Sequence, residues 1–215
     1  MTSAVAVAVG LVFVPTDASA ATTYSCPLDV SAANPCNPPL DGNVSGDVDT
    51  SKGAYRFNPS GDGKPGFVQV DHSTQIDTKA FPVRVSVSVM GVGVPSRAVG
   101  DYDVVRGTKN GFWKIEVMAK NNRTTARASC SFKGSSRRIT ITAGPDLSKL
   151  SGWHTITCVD DNKQVQLFVD GNLAKSQSGS TGPINNTGPL LIGAKDTNGG
   201  DQFSGYAKDV DVTVG

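Results

Sequence analysis

Gly152-Trp-His-Thr-Ile-Thr-Cys158, the polar bend Asp160-Asp-Asn-Lys163 and Val165-Gln-Leu-Phe-Val-Asp-Gly171 together decide the fold. Val165, Leu167 and Val169 alternate with Gln164, Gln166 and Phe168, the period of a strand with one buried face. Asp170-Gly171 supplies the positive φ values that a tight type I′ turn demands, so the next strand folds straight back. Adjacent hairpins of this kind predict an antiparallel sheet.

Working outward, the alternation recurs. Val83, Val85, Val87 and Val89 face one way, and Arg84, Ser86, Ser88 and Met90 the other. Strand pattern also marks Ala54–Phe57, Gly66–Val70, Gly100–Arg106, Phe112–Met118, Ala126–Phe132, Arg138–Thr142, Asn172–Ser178, Pro189–Gly193 and Asp209–Val214. Asn110-Gly111 is a second hairpin signal. No segment carries a 3.6-residue period, and no internal repeat points to a propeller or solenoid. About a dozen short strands in one domain imply an all-β sandwich of two antiparallel sheets.

Composition agrees. Glu116 is the one glutamate among 19 acidic residues, and a chain that uses Asp in place of Glu is built from turns rather than helices. The formal net charge of +1 gives no whole-chain attraction for nucleic acid or an acidic membrane surface. The apolar run Ala4–Val14, followed by Ala18-Ser-Ala20, has the h-region and cleavage site of a secretory signal and is too short to span a bilayer. The expected organisation is a signal over 1–20, a Pro- and Asn-rich leader over 21–52, and one folded domain over 53–215. Export places the four cysteines in an oxidising compartment. Cys26 and Cys36 most simply close a local loop. Cys130 and Cys158 lie in strand-like runs that a bridge between neighbouring strands would join, worth about 3–4 kcal/mol by loop entropy.

Four features taken together resemble laminin-G-like domains. They are Gly152-Trp-His, the Leu167-Phe-Val-Asp-Gly171 hairpin, Pro189-Leu-Leu-Ile-Gly193, and the ending Asp201-Gln-Phe-Ser-Gly205 with Asp209-Val-Asp-Val212. The resemblance covers about residues 54–215. It implies the concanavalin A-like jelly roll, in a secreted bacterial branch, with Trp153-His154 as a structural signature. The chain departs from the family pattern at Ala207-Lys208, where the family carries Ile-Asp.

Enzymes of this fold imply motifs that the chain lacks. The glucanase pattern Glu-x-Asp-x-x-Glu is absent around Glu116, and neither His72 nor His154 sits in a lyase-like setting. The expectation is therefore no catalytic residues and no enzyme. Calcium is the best-motivated cofactor, through Asp196 and Asp201 with Asn198 in the loop Lys195–Asp201, and through Asp101 with Asp103. The same residue types also serve plain turns. Trp113 is either a sugar-stacking platform or core. The basic series Lys120, Arg123, Arg127, Lys133, Arg137 and Arg138 is either a patch for acidic glycans or a solvated sheet edge. The expected function is a secreted, non-catalytic lectin-like module. It binds a glycan or an extracellular protein through rim loops, with Asn198, Trp113 and Arg127 as ligand contacts. The alternatives are a polysaccharide-active glycosidase or lyase of the same fold, and a structural or adhesive domain.

Overall fold

A computed structural model describes residues 21–29, 36, 42–51, 53–58, 65–72, 74, 79–96 and 100–215. The signal-like segment 1–20 lies outside the described residues. Fifteen strands run through the rest: β1 (Thr22–Cys26), β2 (Gly42–Gly46), β3 (Val48–Asp49), β4 (Tyr55–Phe57), β5 (Gly66–Val70), β6 (Val83–Met90), β7 (Asp101–Gly107), β8 (Phe112–Lys120), β9 (Thr125–Lys133), β10 (Arg138–Ala143), β11 (His154–Asp160), β12 (Gln164–Val169), β13 (Asn172–Ser178), β14 (Leu190–Ile192) and β15 (Gly205–Val214). Among the described residues there is no α-helix, and Leu147–Lys149 forms one short 3₁₀ turn.

One sheet runs β13-β12-β11-β6-β15-β4-β3, with β1 also paired to β15, and the other runs β10-β9-β8-β7-β14-β5-β2. Every strand pair is antiparallel. The valines of β6 and the Val165, Leu167 and Val169 stripe of β12 are buried, together with Ile156, Ile192 and Val212. The two sheets thus share one core, and alternate side chains point away from it.

Four local expectations need correction. Segment 21–52 contributes β1, β2 and β3. Their ladders are made with distant strands, Thr22–Cys26 against Val210–Val214 and Gly42–Gly46 against Gly66–Val70, so no period inside the segment reveals them. Both disulfides, Cys26–Cys36 and Cys130–Cys158, are present. However, β9 and β11 belong to opposite sheets, so Cys130–Cys158 crosses the core instead of joining neighbours. The β7–β8 hairpin takes its positive φ values at Lys109 and Asn110, one residue earlier than the Asn-Gly signal suggests. Gly111 is needed there because a side chain would press on Lys133 O and Asn185 N, 3.0 and 3.1 Å from its Cβ position. At Asp170-Gly171 both φ values are positive, as the turn requires. Trp113 is the fourth: it is 0% exposed and packs between the sheets, so it offers no stacking face to a sugar.

Candidate functional site

The seven-stranded sheet turns an unusually polar face outward. Reading across the strands in register, one row is Asn43, Gln69, Leu191, Arg106, Lys114, Ser131 and Thr140. The next row contains Asp103, Glu116, Ser129 and Thr142. Their chain neighbours Val105, Ile115, Val117, Cys130 and Ile141 fill the core on the opposite face. Phe67, Leu191 and Ala194 make a small apolar cluster of their own beside the polar rows.

At the centre is an ion network. Asp103 Oδ2 accepts from Arg106 at 3.0 Å, and Asp103 Oδ1 accepts from Lys114 Nζ at 3.2 Å. The same Nζ is bonded to Glu116 Oε1. Asp103, Lys114 and Glu116 are buried although they sit on the outward side, because the ion pairs hold their chains down on the sheet. Burial raises the Asp103 pKa, against the opposing pull of Lys114 and Arg106. Burial also pushes the Glu116 carboxyl up to about 7, with Lys114 only partly offsetting it and Asp101 adding to the rise. One oxygen of each of Asp101, Asp103 and Glu116 lies within 4.8 Å of the others.

The hydroxyls form a second layer. Ser131 and Thr140 are 2.8 Å apart, Thr142 donates to Ser129 at 3.2 Å, and Arg138 Nε donates to both Ser131 and Thr140. The Arg138 guanidinium lies 5.2 Å from the centre of the half-buried Phe112 ring, and Lys114 Nζ 5.8 Å from it. One aromatic ring and a strip of hydroxyls therefore border the ion network.

The loop Lys195–Asp201 adjoins this face. Asp103 N–H donates to Asp201 O at 2.9 Å, so the two expected metal-site halves meet through backbone. The loop carboxylates turn inward on their own segment. Asp196 Oδ1 accepts from Asn198 N–H and Gly200 N–H, and Asp201 pairs with Lys195 at 3.0 Å. Asn198 is exposed at the loop tip. Gln202, which no sequence motif singles out, clamps the loop base, donating to Gly66 O and Gly193 O and accepting from Gly66 N–H. In the sequence Glu116 stands out only as a possible catalytic glutamate, and its partners Lys114 and Asp103 become visible only once β7 and β8 are in register.

The remaining candidates hold structural positions. Arg127 Nη1 donates to Gly144 O at 2.7 Å. The basic series does not gather in one place, although Lys133 and Arg138 are opposite each other on β9 and β10. Lys120 and Arg123 lie at one end of the β8–β9 hairpin and Lys133 at the other, with the nine-residue β9 spanning about 30 Å between them. His154 has acceptors at both ring nitrogens, Asp170 Oδ2 at 2.8 Å and Ser151 O at 3.2 Å, and the Asp170 hydrogen bond raises its pKa. Asp170 also accepts from Thr155 N–H, locking the hairpin turn to the strand before it.

A family model described as the concanavalin A-like lectin/glucanases superfamily, of laminin-G type, matches residues 62–213. No curated protein sequence matches. Among solved structures, the binding domain of Paraclostridial Mosquitocidal Protein 1 superposes with a TM-score of 0.63 at 15% identity, covering 89% of this chain and 48% of that one. The binding domain of botulinum neurotoxin DC in complex with SialylT gives 0.59 at 15% identity, covering 82% and 43%. The same domain with rat synaptotagmin II gives 0.58 at 13% identity, covering 82% and 43%. The chain thus spans about half the length of these structures, and at such identity the likeness is one of fold.

Proposed function

Because the chain belongs to the concanavalin A-like lectin/glucanase superfamily, we propose that it is a secreted, non-catalytic recognition module that takes a glycan on the outer face of the seven-stranded sheet and the loop beside it. The observation that carries this reading is the strip around Phe112, where a half-buried ring stands beside Arg138, Lys114 and the paired hydroxyls of Ser131 and Thr140. Sugars are held by an aromatic face against their C–H side and by fixed donors and acceptors against their hydroxyls. The SialylT complex of a similarly folded domain supports the class of ligand.

Catalysis fits the same residues poorly. Glycoside hydrolysis needs two carboxyls that reach the scissile bond, and Glu116 is 2% exposed with one oxygen bonded to Lys114. Secretion is supported by two disulfides, and no helix among the described residues is long and apolar enough to cross a membrane. A protein ligand is the second reading. It is favoured by Trp153 and Leu173, the exposed large hydrophobics among the described residues, and by the synaptotagmin complex of a fold relative.

A glycan array probed with the wild type, Phe112→Ala and Arg138→Ala tests the proposal. Binding of a defined glycan class that falls at least tenfold in both variants is the expected result. A silent array, or binding indifferent to both substitutions, rejects it.

A further inference from the structure

Glu116 leaves one oxygen without a partner. Oε1 is bonded to Lys114, but Oε2 is sealed from solvent and meets no hydrogen-bond donor. A Glu116 oxygen also lies within 4.8 Å of a carboxyl oxygen of Asp101, a second acid that interacts with it directly. Among the described residues no donor is bonded to the Asp101 carboxyl, whereas both oxygens of Asp103 are taken by Arg106 and Lys114. A buried carboxylate oxygen costs on the order of 1–3 kcal/mol if left unpaired, so the two acids call for a shared proton below about pH 7 and for a bound cation once Glu116 is ionised. The local charge points the same way. With Glu116 ionised, three carboxylates face the two cations Lys114 and Arg106, and the nearby Lys195 is paired with Asp201, which leaves one negative charge uncompensated above about pH 7.

We propose that Asp101 and Glu116 Oε2 hold a divalent cation of the calcium type on the outer face of the sheet, with Asp103 as a backing carboxylate fixed by Arg106 and Lys114. The donor set is oxygen only, which excludes ions that prefer nitrogen or sulfur. Glu116 is buried, while Asp101 is half-buried, so the remaining ligands of a six- to eight-oxygen shell would be waters on the solvent side of Asp101. So few protein ligands place the affinity in the range of extracellular calcium modules, on the order of 0.1–1 mM. The site differs from a loop-borne one, because Oδ1 of Asp196 and Oδ2 of Asp201 are bonded inside their own loop. It stands independently of the glycan reading, since the test below contains no glycan.

The experiment is isothermal titration of the chelator-treated chain with calcium chloride at pH 8, alongside thermal melts in calcium and in EDTA. Asp101→Asn is the mild variant, as its side chain is half-buried at a strand end, and Glu116→Gln is the second. The expected result is a saturable heat and a calcium-dependent rise in Tm for the wild type, with affinity reduced at least tenfold in Asp101→Asn and in Glu116→Gln. Asp196→Ala should bind as the wild type does. No saturable binding to a folded wild type overturns the proposal. So does binding that survives Asp101→Asn unchanged, or binding abolished by Asp196→Ala.

Discussion

Replacing Lys114 with Met is the most direct probe of the ion network. The substitution keeps the apolar stem and removes the ammonium that bridges Asp103 and Glu116. Breaking a buried pair from one side usually costs about 3–5 kcal/mol, because a charge is left behind without compensation. Two features of this site pull the cost to the lower end. Asp103 keeps Arg106 at 3.0 Å, and Glu116, already pushed up to about 7, escapes by taking a proton. The expected loss is about 3 kcal/mol at pH 8. At pH 5 Glu116 is neutral even in the wild type, so only the Asp103 contact disappears and the loss falls to about half. The sign follows from linkage. A carboxyl raised from 4.5 to about 7 on folding favours the folded state below 4.5, and that advantage is lost as pH rises through 7. Urea unfolding in EDTA at the two pH values, followed by fluorescence and circular dichroism, supplies the free energies. The double variant with Glu116→Gln should recover at least about 1 kcal/mol relative to additivity. Equal costs at both pH values, or additivity within about 0.5 kcal/mol, would refute the picture of one coupled network.

Three further outcomes are expected. Removing the inter-sheet bond as Cys130→Ala with Cys158→Ala should lower stability by about 3–4 kcal/mol, from a sequence separation of 28, and non-reducing peptide mapping of the wild type should recover the same pair. Asp170→Asn should bring the His154 pKa down towards 6.5, read by NMR titration. The stability this pair gives is present below 6.5 and lost as pH rises through the raised folded value, so the variant should flatten that part of the stability curve. Gly193→Ala should destabilise by on the order of 3 kcal/mol, since φ is +90° and the new Cβ would stand 2.2 Å from Phe57 Cδ1. A melting temperature within 1–2 °C of wild type, less than about 1 kcal/mol, would refute that account.

Strand β12 was legible because it has one face in the core and one towards solvent, and its burial follows the alternation residue by residue, as it does in the first half of β6. The partner of a strand was legible only where a tight turn made it the next in sequence. Cys130 and Cys158 show the limit. Both sit in evident strands, yet whether they are neighbours or face each other across the core depends on sheet order, which is set by contacts far apart in the chain. The leader strands fail for the same reason. Tyr24 and Cys26 are fully buried, but five residues alternate too briefly to be separated from a polar, Pro-rich background.

The site was less legible than the fold, and the cause is a single extra residue. Strict alternation along β7 would place Asp101, Asp103 and Val105 on one face and Tyr102, Val104 and Arg106 on the other. One assignment then buries two aspartates, and the other exposes Val105 while burying Arg106. The register instead pairs Arg106 with Lys114, Val105 with Ile115 and Asp103 with Glu116, so Val104 is a bulge opposite no residue of its own. Both valines enter the core, and the two aspartates and Arg106 share the outer face. Sequence pattern locates Asp101 and Asp103 and suggests a cation near them. Only the bulge aims them at Glu116, and only that meeting turns an isolated glutamate without a catalytic motif into the centre of the network.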